Sequence, residues 1–236
     1  MTSFSRELVR YNSYTQSKDK LYRIFQYGAR LVLWYIQKVG SKSVLGSKLQ
    51  KIEETVALSR KLFRMGNSTE LIHKAMDSFK VPDTYQALLG VTTHSFKALW
   101  LILDHIIWFG KVEALQIQIK TWTAWASRAW LVSLLAATVI NIHKINHVKA
   151  QIAKAGSRHG QSDHHHRNDK QLLKRDYHGA QMTFLKDFCD VFIPLSSLGY
   201  VSPGLGAFCG VVSSYVGFKL EWEKHIKPFK VHEHQK

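Results

Sequence analysis

The first third of the chain has hydrophobic residues at helical spacing. No proline occurs before Pro82, and apolar residues recur every three or four positions rather than every second one. This period is typical of α-helices, which we expect to end near residues 40–46 and 66–68. Between Leu21 and Gln37 the polar residues form one narrow stripe, so we expect the rest of this helix to be buried. The stripe consists of Arg23, Gln26, Arg30 and Gln37.

The helix predicted from Lys48 to Met65 is amphipathic. At 100° per residue its large apolar residues share one broad arc, opposite a charged side whose last two turns are basic. Such helices lie in membrane interfaces, so we predict that the apolar residues enter lipid and the basic ones bind headgroups. An ordinary bundle helix with a solvated charged side is the alternative. The predicted membrane-inserting residues are Leu49, Ile52, Val56, Leu58, Leu62 and Phe63, and the predicted headgroup-binding residues are Arg60, Lys61 and Arg64.

A later apolar stretch is long enough to cross a bilayer. A helix from Trp122 to Ile142 would measure about 31 Å, compared with ~30 Å for the hydrocarbon layer. Tryptophans at its start, including Trp125 and Trp130, resemble an interfacial aromatic belt. We therefore predict a membrane span here, with a buried bundle helix as the alternative.

The second apolar stretch, Val191 to Phe218, contains no charged residue but several prolines and glycines. Those residues make one straight helix unfavourable, which predicts a kinked span or a re-entrant hairpin. Small residues recur at every fourth position and allow two helices to approach closely in lipid. We predict that these residues, Gly206, Gly210, Ser214 and Gly217, support self-association.

These patterns predict an all-α membrane protein, with amphipathic N-terminal helices and one or two C-terminal hydrophobic hairpin or transmembrane segments. An amphipathic helical membrane-remodelling region covers residues 1–120, and the two hydrophobic segments cover 121–143 and 188–220. A basic His-rich linker, 144–187, lies between them, and a short basic tail covers 221–236. Adjacent histidines at 164–166 lack the fixed geometry of a metal site, so no metal or other cofactor is expected.

Composition indicates a negatively charged partner. The net charge is +16, while 45% of the residues are hydrophobic and 12% are aromatic. The tryptophans lie inside apolar runs instead of alternating with Lys and Arg, as a base-stacking surface would need. We therefore expect anionic membrane lipids as the partner, and no nucleic acid. The two cysteines, Cys189 and Cys209, offer neither a disulfide framework nor zinc-ligand spacing.

Asp104 and His105 are a candidate catalytic pair. Neighbouring helical residues point about 100° apart, and no Ser or Cys nucleophile motif accompanies them. We predict that Asp104 forms a structural ion pair with Lys97 or Lys111, that there are no catalytic residues, and that the protein is not an enzyme. A soluble enzyme that uses Asp104 and His105 is the rival interpretation.

Four segments, in this order, resemble the peroxisomal biogenesis factor 11 family. They are RIFQYGAR at 23–30, SRKLFRMG at 59–66, LDHIIW at 103–108 and GVVSSYVG at 210–217. The resemblance implies a peroxisomal membrane protein that elongates and tubulates the membrane and promotes peroxisome fission and proliferation. It also implies homo-oligomers, and recruitment of a dynamin-related GTPase with its tail-anchored adaptor. In a kinetoplastid the location would be the glycosomal membrane.

An oligomeric membrane pore for small metabolites is the alternative function. Several copies would assemble through Gly206, Gly210 and Ser214 around the apolar segments. Polar side chains would then line the interior. The candidates are Ser196, Ser197, Ser213, Ser214 and Asn141.

Overall fold

The computed structural model describes residues 3–40, 44–157 and 164–226, which form helices joined by short connections. The helices are α1 (Ser3–Asn12), α2 (Thr15–Lys38), α3 (Val44–Phe63), α4 (Asn67–Ser78), α5 (Thr84–Lys111), α6 (Ile119–Ser157), α7 (His164–Ser197) and α8 (Pro203–His225). The described part contains no strand. The all-α prediction is confirmed.

Local sequence signals set several of the helix ends. Asp83 caps α5, because its carboxylate accepts hydrogen bonds from the backbone N–H groups of Tyr85 and Gln86. Ser202 caps α8 in the same way, and the proline that follows it suits the first helical position. Gly66 and Gly199 adopt φ of 86° and 84° between consecutive helices, a conformation that favours glycine.

Six helices form a closed ring. Along the ring α2 packs on α8, α8 on α7, α7 on α6, α6 on α5, α5 on α3, and α3 again on α2. A hydrogen bond joins two neighbours of this ring: the Ser133 hydroxyl on α6 donates to the Thr93 carbonyl on α5 at 2.9 Å. Helix α4 packs on α5, while α1 contacts α2 and α8 from outside the ring. This arrangement leaves a space in the middle of the molecule.

The small residues of α8 pack inside the chain. A Cβ on Gly210 would overlap the ring of Tyr27 on α2, and one on Gly206 would overlap Ser196 on α7. Ser214 is fully buried and donates to the Gly210 carbonyl, and a Cβ on Gly217 would lie 3.4 Å from Lys20 Cδ. The structure thus uses the residues predicted for self-association to bring α8 close to its own neighbours.

The polarity of α2 is inverted relative to a helix on the surface of a water-soluble protein. On α2 the polar residues Arg23 and Gln26 are buried, whereas Phe25 and Tyr35 are 66% and 63% exposed. The apolar circumference of this helix, which we predicted to be buried, is therefore not fully covered by the chain itself. The polar stripe faces the centre of the ring, and the apolar surface faces outward, as expected when lipid surrounds a bundle.

The segment predicted as a linker is largely helical. Helix α6 continues through residue 157, and α7 begins at residue 164. Val148 and Ala180 are 6% and 2% exposed, so both extensions retain a packed face, although their other faces are polar. The side chains of residues 164–166, and residues 227–236 of the predicted tail, lie outside the described part.

Helix α6 is the candidate membrane span of the described chain. Its segment Ile119–Ala155 has a mean hydropathy of 1.3 over its most apolar window, of which 33% is buried. The predicted segment 121–143 lies inside it. The second predicted segment, 188–220, comprises the end of α7, with Pro194 inside the helix, a short connection, and most of α8.

Candidate functional site

The ring encloses a charged cavity of about 700 Å³. Helices α2 to α8 all contribute side chains to its wall. Ten lysines and arginines line it, against five carboxylates, so the lining carries an excess of positive charge. Most of these groups form ion pairs that link helices far apart in sequence.

Asp19 on α2 pairs with Arg60 on α3. The arginine Nε donates to Asp19 Oδ1 at 2.8 Å, and its Nη1 donates to the side chain of Gln26. Burial acts to raise the pKa of Asp19, but the positive charges of Arg60 and Lys20 outweigh it, and this pKa falls to about 2. The carboxylate is therefore ionised at neutral pH.

Asp104 on α5 binds two cations, one in the last turn of α3 and one just after that helix ends. Lys61 donates to one of its oxygens and Arg64 donates to the other, the latter at 2.6 Å. The predicted structural role of Asp104 is confirmed, although its partners differ from the predicted Lys97 and Lys111. These contacts tie the C-terminal turns of α3 to α5.

The predicted headgroup-binding residues of α3 therefore face inward. Arg60 is only 5% exposed, and Lys61 and Arg64 are partly buried in their pairs with Asp104. This differs from the expectation of a basic side among headgroups. The physical reason is that Asp19 on α2 and Asp104 on α5 supply the counter-charges. The spacing of residues along α3 contains no information about these carboxylates of other helices.

The predicted membrane-inserting residues are exposed or half-buried, and one of them, Phe63, also lines the cavity and stacks on Tyr22 of α2. Ile52, Leu62 and Phe63 are 56%, 46% and 39% exposed. Leu49, Val56 and Leu58 are half-buried. Helix α3 therefore exposes apolar side chains at the surface of the bundle, while its basic side chains form ion pairs in the interior.

A second set of polar contacts joins α2, α6, α7 and α8. Arg23 pairs with Asp190 and also donates to the Ser213 hydroxyl at 3.3 Å. On α7, Asp187 accepts from the Asn141 amide at 2.8 Å and pairs with Lys186. These bonds hold groups of like and unlike charge in fixed positions around the cavity.

Of the polar residues predicted to line a pore, only some reach this cavity. Ser196 and Ser197 are part of its wall, whereas Ser213, Ser214 and Asn141 are buried in hydrogen bonds beside it. The charged lining on α2, α3 and α5 was missed by the sequence reasoning. Its signal was the polar stripe of α2, of which Arg23, Gln26 and Arg30 line the cavity.

Three cavity lysines, Lys20, Lys97 and Lys111, have no ion-pair partner among the described residues. Burial is the main reason why the pKa of Lys20 falls to about 8, and the positive charges of Arg23, Lys186 and Lys97 lower it further. The negative charge of Asp19 acts in the opposite direction but is too weak to compensate. Lys97 lines the cavity and remains accessible from it. The protein around its ammonium group lowers the pKa of this lysine, and the positive charge of Lys186 lowers it further.

Aromatic rings complete one wall. Trp100 on α5 and Trp130 on α6 stack with centroids 4.7 Å apart, and the Arg64 guanidinium lies 5.0 Å from the Trp100 ring. Over the described residues, no three His, Cys, Asp or Glu side chains come together as a metal site. The chemistry that this arrangement offers is the binding of charged groups in a confined space.

Comparison with known proteins identifies the family. The model of the peroxisomal biogenesis factor 11 (PEX11) family matches residues 6–222. Peroxisomal membrane protein PMP27 of Saccharomyces cerevisiae is 28% identical over 225 residues, covering 91% of this chain and 93% of the relative. Peroxisomal membrane protein 11B of Homo sapiens is 26% identical over 239 residues, with 87% and 92% covered.

Peroxisomal membrane protein 11A of Bos taurus is 24% identical over 229 residues, covering 89% of this chain and 93% of the relative. No solved structure shows significant similarity to the chain. The match of the family model extends over nearly all the described helices, including those that enclose the cavity. The chain therefore belongs to the peroxisomal biogenesis factor 11 family and is a protein of the peroxisomal membrane that takes part in peroxisome biogenesis.

Proposed function

We propose that the chain elongates the peroxisomal membrane by inserting the apolar edge of α3 into lipid. The observation that carries this proposal is the exposure of Ile52 and Leu62 on α3, at 56% and 46%, together with their absence from the cavity wall. Transfer of each such side chain into an apolar environment is worth about 1.5–3 kcal/mol. Each copy would add area to one leaflet and favour positive curvature.

The ion pairs of α3 modify the mechanism expected from the sequence. Because Arg60, Lys61 and Arg64 bind internal carboxylates, attraction to headgroups would come from other basic residues of this cationic chain. Helix α3 would then act as a rigid edge of the bundle instead of a helix that folds on the membrane. Anionic lipids, further copies of the chain, and the dynamin-related GTPase with its adaptor are the proposed partners.

Reconstitution of the full chain into anionic liposomes tests this proposal. We expect wild-type protein to produce tubules visible by electron microscopy, and Ile52→Glu with Leu62→Glu to abolish them, because two carboxylates would have to enter lipid. The matched control is Ser47→Glu with Gln50→Glu, which adds the same charge at exposed polar positions of α3 outside the arc between Ile52 and Leu62. Tubules formed equally by both double variants would refute insertion through this edge.

A second function, a pathway for small polar solutes, is favoured by the cavity. A charged space of about 700 Å³ inside a bundle that exposes many large apolar side chains is typical of membrane proteins that handle polar solutes. We propose that this pathway lies within one chain and not between copies, because Gly206, Gly210 and Ser214 pack against α2 and α7 or lie buried in α8.

Conductance in planar bilayers tests the pathway. Thr123 on α6 lines the cavity, so Thr123→Trp should reduce the single-channel conductance by filling space. Thr121→Trp, at an exposed position two residues earlier, is the control and should leave conductance unchanged. Absence of any conductance from wild-type protein would rule the pathway out.

A further inference from the structure

Three lysines from three different helices line the cavity, and their positive charges are close enough to act on one another. Lys20 is on α2, Lys97 on α5 and Lys186 on α7, and all three are part of the cavity wall. Lys20 and Lys186 flank Gly217 of α8: a Cβ at that glycine would lie 3.4 Å from Lys20 Cδ and 3.7 Å from Lys186 Cδ. These are ordinary van der Waals distances, so the stems of both lysines pack beside α8 at this position.

The carboxylates near these lysines are already engaged. Asp19 binds Arg60, and Asp190 binds Arg23. Asp187 binds Lys186 and also accepts a hydrogen bond from Asn141. Within the described residues Lys20 and Lys97 therefore keep their positive charge without a salt-bridge partner, in a space that already holds an excess of cations.

Uncompensated charge in a confined site is unfavourable for the protein. Taking an ammonium group out of water costs free energy, and repulsion from like charges adds to that cost. The low pKa of Lys20 is the expected consequence of burial and of its cationic neighbours. An anion placed among the three ammonium groups would remove this cost and gain favourable interactions with all three lysines.

We propose that Lys20, Lys97 and Lys186 bind the phosphate groups of a small anion inside the cavity. Lysine binds phosphate as a compact point charge with three donors. The cavity volume lies within the roughly 300–1,000 Å³ typical of small-molecule sites. The inference rests on the proposed solute pathway, because both use the same cavity, and it names the class of solute: phosphate-bearing anions.

Calorimetric titration of the full chain in neutral detergent with inorganic pyrophosphate tests the site. We expect saturable binding at pH 7, weakened at least tenfold by Lys20→Met and by Lys97→Met. Lys20→Arg should keep most of the affinity because it retains the charge. Lys18→Met and Lys120→Met remove lysines that are exposed and outside the cavity wall, and should bind like the wild type.

A parallel titration with short-chain phosphatidic acid distinguishes the two sources of phosphate. Binding of pyrophosphate supports a soluble anion, whereas Lys20-dependent binding of phosphatidic acid alone supports a lipid headgroup at the same three lysines. Failure of both probes to bind, or equal binding by the Lys20→Met, Lys97→Met and control variants, would overturn the site. Folding of each variant is checked by its helical circular dichroism and its thermal transition.

The outcomes also separate this inference from the solute pathway. Conductance without affinity for either phosphate probe would refute the lysine site and leave the pathway standing. Affinity without conductance would refute the pathway and leave a binding site inside the bundle.

Discussion

Arg60 on α3 and Asp19 on α2 form a buried ion pair, with the arginine Nε 2.8 Å from Asp19 Oδ1. Forty-one positions separate the two residues. The pair turns the charged side of α3 toward the cavity, and its apolar edge consequently faces outward. Together with the pairs that Arg30 forms with Glu53 and Asp104 forms with Lys61, this contact fixes the orientation of α3 in the bundle.

Neutralising one member of this pair should destabilise the fold strongly. We expect Asp19→Asn to lower the free energy of unfolding by about 3–5 kcal/mol, because Arg60 would remain buried without its counter-charge. Unfolding in mixed micelles followed by circular dichroism measures the change. Asp77→Asn, which breaks an exposed pair with Lys80, is the control and should cost less than about 1 kcal/mol.

Removing both members should cost less than removing one. In Asp19→Leu with Arg60→Met no buried charge is left unpaired, so we expect much of the stability to return. If the double variant is as unstable as Asp19→Asn, the loss comes from packing and not from uncompensated charge. The same measurement distinguishes the two causes.

Asp104 should be more important for stability than either of its partners. Asp104→Asn leaves two cations, Lys61 and Arg64, without their shared carboxylate, whereas Lys61→Met leaves the Arg64 contact intact. We expect a loss of about 3–5 kcal/mol for Asp104→Asn and a clearly smaller one for Lys61→Met. Equal losses in the same unfolding assay would indicate that Lys61 is the essential partner.

The periodicity of the sequence predicted the helices correctly but not the direction of their faces. A 3.6-residue period shows that one side of α2 is polar, but it does not indicate whether that side contacts water or the protein interior. In α2 the stripe that holds Arg23 and Gln26 is buried, and Phe25 is exposed. Composition could have indicated this inversion, because a narrow polar stripe with a wide apolar surface suits lipid better than water.

The charged lining of the cavity could not be predicted from local spacing. Arg23 meets Asp190 across 167 positions, and no pattern within one helix brings those residues together. The helical extensions of α6 and α7 were missed for a different reason: polar residues dominate residues 144–187, and composition alone favoured a linker. A few packed side chains such as Val148 and Ala180 were enough to join them to the bundle.

Packing at Gly210 tests whether the small residues of α8 act within the chain. We expect Gly210→Ala to destabilise the protein by about 1–3 kcal/mol, because its methyl group would overlap the ring of Tyr27. Gly28→Ala is the control: nothing lies within 4 Å of its Cβ position, and alanine favours the helix by about 1 kcal/mol. If Gly210→Ala unfolds like the wild type but no longer forms cross-linked dimers, Gly210 instead makes its contact between two copies of the chain.

Replacement of Lys20 should stabilise the ligand-free protein in a pH-dependent way. The pKa of this lysine is about 8 in the fold and 10.5 in an unfolded chain, so below pH 8 it is charged in both states and its burial opposes folding. Between pH 8 and 10.5 the folded state releases the proton while the unfolded state retains it, and the stability of the wild type rises. We therefore expect Lys20→Met to gain about 1–3 kcal/mol at pH 7 and to lose this gain by about pH 10.5.

Exposed Lys18→Met should change stability by less than about 0.5 kcal/mol. Unfolding curves at pH 7, 9 and 10.5 measure the difference from wild type, and a Lys20→Met protein less stable than wild type at pH 7 would contradict an uncompensated charge in the cavity.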